Sequence, residues 1–276
     1  MACLYVVATP IGNLGDLSDR ARNTLRTCAT IVAEDTRRTR QLLNSIESLA
    51  RMVSLNEHNR SRRIGPILEI LATEDIALVS DAGTPAISDP GHQLIEAAHA
   101  AGYPVRSVPG PSAVVAALSV SGLPATPFTF HGFAPRGLGA LRTWIVGWLQ
   151  AETTSVFFEA PGRIGRTITE IAVADAESTV VICRELTKLF EQVVRGTASE
   201  LVAGLEDGSI PAKGEFVVVA MASGRRAGVD VDIHLRARLD SGESANDAAR
   251  QVAKETGRPK SELYKRALAL KQSQSD

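Results

Sequence analysis

Short apolar runs alternate with polar, breaker-rich stretches along most of this chain, and their spacing predicts strands separated by amphipathic helices. Residues 4–8, 30–33, 52–55, 76–79 and 105–108 each read as a short strand. Between them lie a helix that Ser18 can cap and that runs through Leu25, one carrying Arg37, Arg38 and Arg40, and one with Ile64, Ile67, Leu68 and Leu71 on a single face. Two more fall around residues 94–101 and in the Ala/Val-rich stretch that ends near Leu118. Strands and helices alternating at this spacing imply parallel βαβ units. The pattern changes over residues 121–127, where Gly122, Pro124 and Pro127 crowd together as at a domain junction. Beyond it come strands at 128–132, 155–158, 179–183 and 216–221 and a helix holding Trp144 and Trp148. The expected fold class is therefore α/β, with one α/β domain over residues 1–121, a second over 122–226 and a helical segment over 227–276.

That last segment follows a linker-like Ser223-Gly224-Arg225-Arg226. Ser244 and Asp247 form a capping pair ahead of the stripe Ala248, Ala249, Val252 and Ala253, and Gly257-Arg258-Pro259 interrupts the pattern before Leu263, Ala267, Leu268 and Leu270 resume it. Helix, short turn and basic helix outline a helix-turn-helix. From Arg250 to Lys271 the basic residues Arg250, Lys254, Arg258, Lys260, Lys265, Arg266 and Lys271 stand against only Glu255 and Glu262, so a nucleic acid is the partner this end favours over a structural hairpin that caps the core.

Composition narrows the picture further. With 44% hydrophobic and 22% charged residues among 276, the chain can bury a sizeable core. The first eight residues lack the basic start of a signal peptide and no apolar run approaches the ~20 residues of a membrane span, so a cytoplasmic protein with no membrane partner is expected. Cys3, Cys28 and Cys183 sit apart in apolar sequence and read as reduced core thiols; five scattered histidines without an HxxxH pair give no metal signal.

Candidate chemistry gathers where strands end. The stretch IALVSDAGTPAISDPG, residues 76–91, breaks from a strand into small residues, Pro and Asp, and similar loops occupy residues 9–13, 109–113 and 213–215. In open α/β sheets ligands bind at the carboxyl ends of strands, because backbone poor in side chains can approach a small molecule there. An ordinary strand-to-helix turn is the alternative for any one loop, and the repetition favours a site. No GxGxxG follows a strand and no Walker A segment occurs, so the usual phosphate-cradling motifs are missing.

TPIGN at residues 9–13, AEDTRRT at 33–39, LVSDAGTPAISDPG at 78–91, PGPSA at 109–113, RELTK at 184–188 and KGE at 213–215 together resemble the ribosomal RNA small subunit methyltransferase I family, a branch of the tetrapyrrole methylase-like enzymes. The resemblance runs in order over nearly the whole chain. It implies two α/β domains with the cofactor in the cleft between them, a C-terminal helix-turn-helix, a homodimer, and transfer of a methyl group from S-adenosylmethionine to the ribose 2′-oxygen of a cytidine in the decoding region of 16S rRNA within the 30S subunit. Carried over residue by residue, it assigns the cofactor to Pro10, Asp81, Ala82, Gly83, Pro85, Ser88, Asp89, Ser112 and Ala113, with Phe158, Gly214 and Glu215 from the second domain. A side chain at Gly83 is expected to fill space that the backbone needs. Where the family often has histidine in its F(Y/F)E(A/S)xHR segment, this chain has Gly162 before Arg163.

A ribose hydroxyl is a poor nucleophile near neutral pH, so a base or a cation beside it helps. Glu34, Asp35, Glu57, Glu159, Glu185 and Lys188 stand at strand ends, and Glu159 and Lys188 are preferred because their loops should border the cleft. Each can equally be half of a structural ion pair, and Asp81 and Asp89 can serve local Asx turns. Arg37, Arg38 and Arg40 suit either rRNA phosphates, alongside Arg250, Lys254, Arg258, Lys260, Lys265 and Arg266, or a solvated helix face. A tetrapyrrole C-methyltransferase and a non-enzymatic nucleic-acid-binding regulator are the alternative functions.

Overall fold

The structure is a computed structural model that describes residues 2–151, 153–223, 231–256 and 259–272, with the side chains of 254–256 and 272 outside that description. Gly224, Arg225 and Arg226 of the expected linker, and Gly257 and Arg258 of the expected turn, lie outside the described residues. The chain forms two compact units, Met1–Ala116 with Glu185–Glu191, and Ala117–Arg184 with Gln192–Asp276.

In the first unit the elements follow the alternation read from the sequence: β1 (Leu4–Val7), α1 (Asp19–Thr27), β2 (Thr30–Ala33), α2 (Thr36–Ser45), β3 (Arg51–Ser54), α3 (Arg60–Leu71), β4 (Ile76–Val79), α4 (His92–Ala100), β5 (Val105–Val108) and the start of α5 (Ala113–Ser121). The five strands make one parallel sheet in the order β3-β2-β4-β1-β5. Its two central strands β2 and β4 are buried at every position, as strands covered on both faces must be. Successive side chains of β4 point to opposite faces. Ala77 and Val79 therefore meet Ala21 and Leu25 of α1 and Leu43 of α2, whereas Ile76 and Leu78 meet Ile67 and Leu71 of α3 and Leu94 and Ala98 of α4. Ser18 caps α1 as expected, its hydroxyl accepting from the Ala21 N–H, and Asp35, read from the sequence only as a strand-end carboxylate, caps α2 by accepting from the Arg37 N–H.

This arrangement fixes where a crevice opens. The neighbours of β4 are β1 and β2, and the helices that follow both pack on one face. The helix that follows β4 packs on the other. Chain leaving adjacent strand ends in opposite directions leaves a gap at the carboxyl edge of the sheet, the topological switch point of an open α/β fold.

The second unit completes α5 and continues with β6 (Phe128–Phe133), α6 (Leu138–Gln150), β7 (Thr154–Glu159), α7 (Ile164–Ala174), β8 (Thr179–Arg184), β9 (Gln192–Thr197), α8 (Ala198–Glu206) and β10 (Phe216–Met221). Here the parallel rule gives way to a mixed sheet in the order β6-β7-β10-β8-β9, where only β6 and β7 are parallel. The edge strand β9, which the sequence reading did not identify, pairs antiparallel with β8, and a capping box of Thr197 and Glu200 starts α8 directly after it.

Among the described residues the C-terminal segment holds three helices, α9 (Val231–Asp240), α10 (Ala245–Thr256) and α11 (Lys260–Gln272), one more than the two stripes suggested. Val231, Leu235, Ala248, Ala249, Val252, Leu263 and Ala267 form their own small core. Ser244 caps α10 as expected, its hydroxyl accepting from the Asp247 N–H at 3.1 Å. The three helices are fastened to the rest of the unit through α6. The Thr143 hydroxyl donates to the Ala237 carbonyl, and Arg142 donates to Glu170 at 2.8 Å and to Asp240 at 2.7 Å. Arg142→Ala leaves those two half-buried carboxylates without their shared partner, so denaturant unfolding monitored by tryptophan fluorescence should show a loss of about 1–3 kcal/mol.

Candidate active site

Four of the motif loops meet at the switch point of the first unit. Thr9, at the end of β1, exchanges backbone hydrogen bonds with Gly83, Thr9 N–H to Gly83 carbonyl at 2.9 Å and Gly83 N–H to Thr9 carbonyl at 3.0 Å. The buried Thr9 hydroxyl adds a bond to the Ser80 carbonyl at 3.2 Å. Thr84 Oγ1 donates to the Pro111 carbonyl at 3.2 Å, and a Cβ on Gly110 would lie 3.1 Å from that of Ala8. The loops after β1, β4 and β5 are thus tied together by backbone rather than by long side chains. Residues 185–191 supply the fourth: a Cβ on Gly12 would sit 2.5 Å from Lys188 Cγ, 2.9 Å from Thr187 Oγ1 and 3.0 Å from the Leu186 carbonyl.

Two of these loops hold residues other than glycine in the left-handed region, Ala86 (φ 67°) and Ser88 (φ 69°) after β4, and Glu185 (φ 51°) and Thr187 (φ 65°) after β8. Each costs of order 1–3 kcal/mol, more readily for a β-branched residue such as Thr187, and strain of this kind collects at ligand sites. Gly83 also lies there, at φ 79°, but its nearest side-chain neighbour stands 3.4 Å from a built Cβ. The requirement at Gly83 is thus the sign of φ and not the space expected for it; the glycine short of space is Gly12.

Carboxylates converge on the same edge. Asp81 accepts from the Asp35 N–H at 3.0 Å and pairs with Arg38 at 3.4 Å. Burial, and then the charges of Asp89 and Asp81, push Glu34 up to about 7. Burial and the charge of Asp81 likewise raise Asp89, against the opposing effect of its bond with the Ser80 hydroxyl. Arg37 and Arg38 pair with Asp35 and Asp81 and leave Glu34 and Asp89 without an arginine partner among the described residues, so the edge suits a ligand with positive charge.

The structure brings Pro10, Asp81, Ala82, Gly83, Pro85, Ser88, Asp89, Ser112 and Ala113 into these interlocked loops, along with Lys188. In the second unit Phe158, Gly214 and Glu215 share one edge of the mixed sheet, because Val217 of β10 pairs with Phe158 and Phe216 with both Glu159 and Arg184. Arg184 Nε donates to the Lys213 carbonyl at 2.6 Å, which ties the RELTK and KGE segments together. Glu159 does not have the freedom of a base. Its buried carboxylate accepts from the Ala160 N–H and the Thr167 hydroxyl, each at 2.6 Å, and pairs with Arg163 at 2.5 Å, so the geometry gives it a structural part. Lys188 is partly exposed and 2.9 Å from Glu185.

Of the expected nucleic-acid contacts, Arg37 is held by Asp35, Arg250 by Asp247 and Arg266 by Asp232, while Arg40, Lys260 and Lys265 are exposed. Arg258 and the side chain of Lys254 lie outside the described residues. What the sequence reading missed at this site is the role of Thr9, Gly12 and Thr84 as fasteners; their motifs signalled loops, but not which loops touch.

Solved structures with this fold include diphthine synthase, with a TM-score of 0.64 and 15% identity over 80% of this chain and 90% of that one. Uroporphyrin-III C-methyltransferase from Thermus thermophilus superposes with a TM-score of 0.56 and 20% identity, over 81% and 95%. Residues 3–202 match the family described as Tetrapyrrole (Corrin/Porphyrin) Methylases, the class that the parallel sheet and its switch-point loops define. Residues 227–271 match the RsmI C-terminal HTH domain. Among curated relatives, a ribosomal RNA small subunit methyltransferase I from Xylella fastidiosa is 43% identical over 95% of this chain and 97% of its own length, and one from a Synechocystis strain is 39% identical over 98% and 99%. The chain belongs to the ribosomal RNA small subunit methyltransferase I family, and it is an S-adenosylmethionine-dependent methyltransferase. The first unit fits that cofactor, whose sulfonium and ammonium groups complement the excess carboxylate charge at the switch point, while exposed loop backbone offers N–H and C=O groups to its polar ends.

Two measurements test this placement. Gly83→Ala forces a side chain into left-handed backbone and should cost about 1–2 kcal/mol of stability, with weaker S-adenosylmethionine binding by calorimetry; native affinity would move the site elsewhere. Glu34 titrates near 7 when folded and lower when unfolded, so the stability of its neutral form is fully present below its unfolded value and is lost as pH rises through about 7. Glu34→Gln should therefore gain melting temperature over the unsubstituted protein at pH 8 relative to pH 5, and a constant difference would contradict the assignment.

Proposed function

We propose that this enzyme methylates the ribose 2′-oxygen of a cytidine in the decoding region of 16S rRNA, acting in the cytoplasm as a homodimer on the 30S subunit. The observation that carries the reading is the combination, in one chain, of methylase loops at the switch point with a helical tail over residues 227–276 that is basic over residues 250–271, a combination that relatives named for small-subunit rRNA methylation match over nearly their full length. A tetrapyrrole substrate offers no reason for that tail, and a pure regulator offers none for the strained, interlocked loops.

When bound, S-adenosylmethionine supplies an electrophilic methyl group on a leaving group that is already positively charged. The remaining task is to position and deprotonate the nucleophile. In this proposal the backbone of residues 81–89 and of Ser112 and Ala113 binds the cofactor within the first domain, residues 1–121, and Phe158, Gly214 and Glu215 bind it from the second, residues 122–226. Holding the acceptor oxygen in line with the methyl group contributes most of the acceleration, because fixed geometry replaces a bimolecular encounter. Lys188 is the group we assign to the ribose oxygen. Its ammonium, steadied by Glu185, stabilises negative charge there as the hydroxyl gives up its proton to solvent water, and Lys188→Met removes that positive charge. Exposed Lys260 and Lys265 of the tail bind rRNA phosphates, with Arg40 on the first domain.

Incubation with methyl-labelled S-adenosylmethionine distinguishes the readings. Label should enter 30S subunits lacking the modification and be absent from uroporphyrinogen; the reverse pattern would make this a tetrapyrrole enzyme. Lys260→Gln with Lys265→Gln should lower the labelling of subunits at limiting concentration while calorimetric cofactor affinity stays unchanged.

A further inference from the structure

A group of cations in the first unit extends beyond the site described so far. The β3–α3 connection and the first turn of α3 carry His58, Arg60, Arg62 and Arg63, and the first turns of α2 carry Arg37, Arg38 and Arg40. Both helices start from one edge, because β2 and β3 are parallel neighbours with Ala33 opposite Ser54 at their carboxyl ends. They then diverge, Leu43 of α2 packing on one face of the sheet and Ile67 and Leu71 of α3 on the other, so the cations flank both sides of the edge strand β3.

Local ion pairs account for only part of this charge. Arg37 pairs with Asp35 at 3.0 Å, Arg38 with Asp81 at 3.4 Å and Arg60 with Glu57 at 3.5 Å. Arg40, Arg62, Arg63 and His58 are exposed, and among the described residues no carboxylate pairs with them. Their placement also works against the helices that carry them. Neither α2 nor α3 has an acidic residue in its first turn, where the helix dipole favours one, and arginines stand there instead, a penalty of roughly 0.3–1 kcal/mol per charge. The Asn59 side chain, which could cap α3, bonds to Ser54 and to the Asn56 N–H and caps nothing. Charge kept exposed at a cost to local stability fits a partner that neutralises it. The cations diverge around a strand instead of converging on a point, which suits an extended polyanion and not one small anion.

We propose that Arg62 and Arg63, with His58 and Arg40 on the same edge, form a second contact surface for the RNA phosphate backbone, built into the first unit and additional to the tail. This rests on the reading of the enzyme as an rRNA methyltransferase. Arginine binds phosphate without regard to sequence, so this surface contributes affinity and register while base identity is read elsewhere.

The test is equilibrium binding of the full-length protein to in vitro transcribed 16S rRNA over a series of salt concentrations, comparing the unsubstituted chain with Arg62→Gln/Arg63→Gln and with Arg62→Lys/Arg63→Lys. Two lost phosphate contacts should reduce the slope of log affinity against log salt by about 1.5 and weaken binding by about tenfold or more at low salt. The lysine pair should restore most of the slope. Calorimetric S-adenosylmethionine affinity should match the unsubstituted protein in both variants, and melting temperature should match in the lysine pair and match or rise in the glutamine pair, which relieves the charge at the N-terminus of α3. An unchanged slope in the glutamine pair, with the unsubstituted protein bound to RNA, would overturn this surface and leave the proposed function standing. An unsubstituted protein that neither binds the rRNA nor labels 30S subunits would overturn both.

Discussion

The reciprocal backbone pair between Thr9 and Gly83 is the constraint on which the first unit's site depends. It lies at the carboxyl ends of adjacent strands whose helices leave to opposite faces, so no regular secondary structure can close the gap between them. A two-residue bridge does so instead, and it requires Gly83 at positive φ. From that fixed point the chain can hold Ala86 and Ser88 in left-handed backbone, because the Thr84 bond to Pro111 and the buried Thr9 hydroxyl over-determine the loop. The cost of this strain is offset elsewhere in the unit, where β2 and β4 are wholly buried and pack on both faces.

Electrostatics add to the same picture. Glu34, Asp81 and Asp89 belong to two different strand-end loops, and burial, with their proximity adding to it, raises the affinity of Glu34 and Asp89 for protons. Such an edge is poorly matched to phosphate and well matched to a cationic cofactor, which agrees with the missing phosphate-cradling motifs. Further positive charge stands exposed at Arg40 on α2, at Arg62 and Arg63 on α3 and at Lys260 and Lys265 in the tail.

Much of this was legible in the sequence, for reasons that differ by element. β2, β4 and β5 could be bounded to the residue because each short run is followed at once by polar or breaker residues, Glu34-Asp35, Ser80-Asp81 and Pro109-Gly110. β9 was not, since an exposed edge strand with charged Arg195 lacks a continuous apolar run, although Thr197 and Glu200 were a readable capping box after it. α9 was missed because its apolar residues face α6 and the two later helices in turn, leaving no single stripe. At the site, the motifs identified the loops but not their contacts: Gly12 against Leu186, and Glu34 beside Asp89, join residues far apart in the chain. Glu159 looked like a candidate base for the same reason that it is a structural carboxylate, namely its place at a strand end, and only its three partners tell the two apart.

The central claim is that the interlocked strand-end loops of the first unit grip the methyl donor. A crystal structure of the enzyme with S-adenosylhomocysteine tests it most directly. The account predicts ligand density against the backbone of residues 81–89 and of Ser112 and Ala113, with the Thr9–Gly83 bridge intact. Well-defined density that touches none of these loops would contradict it.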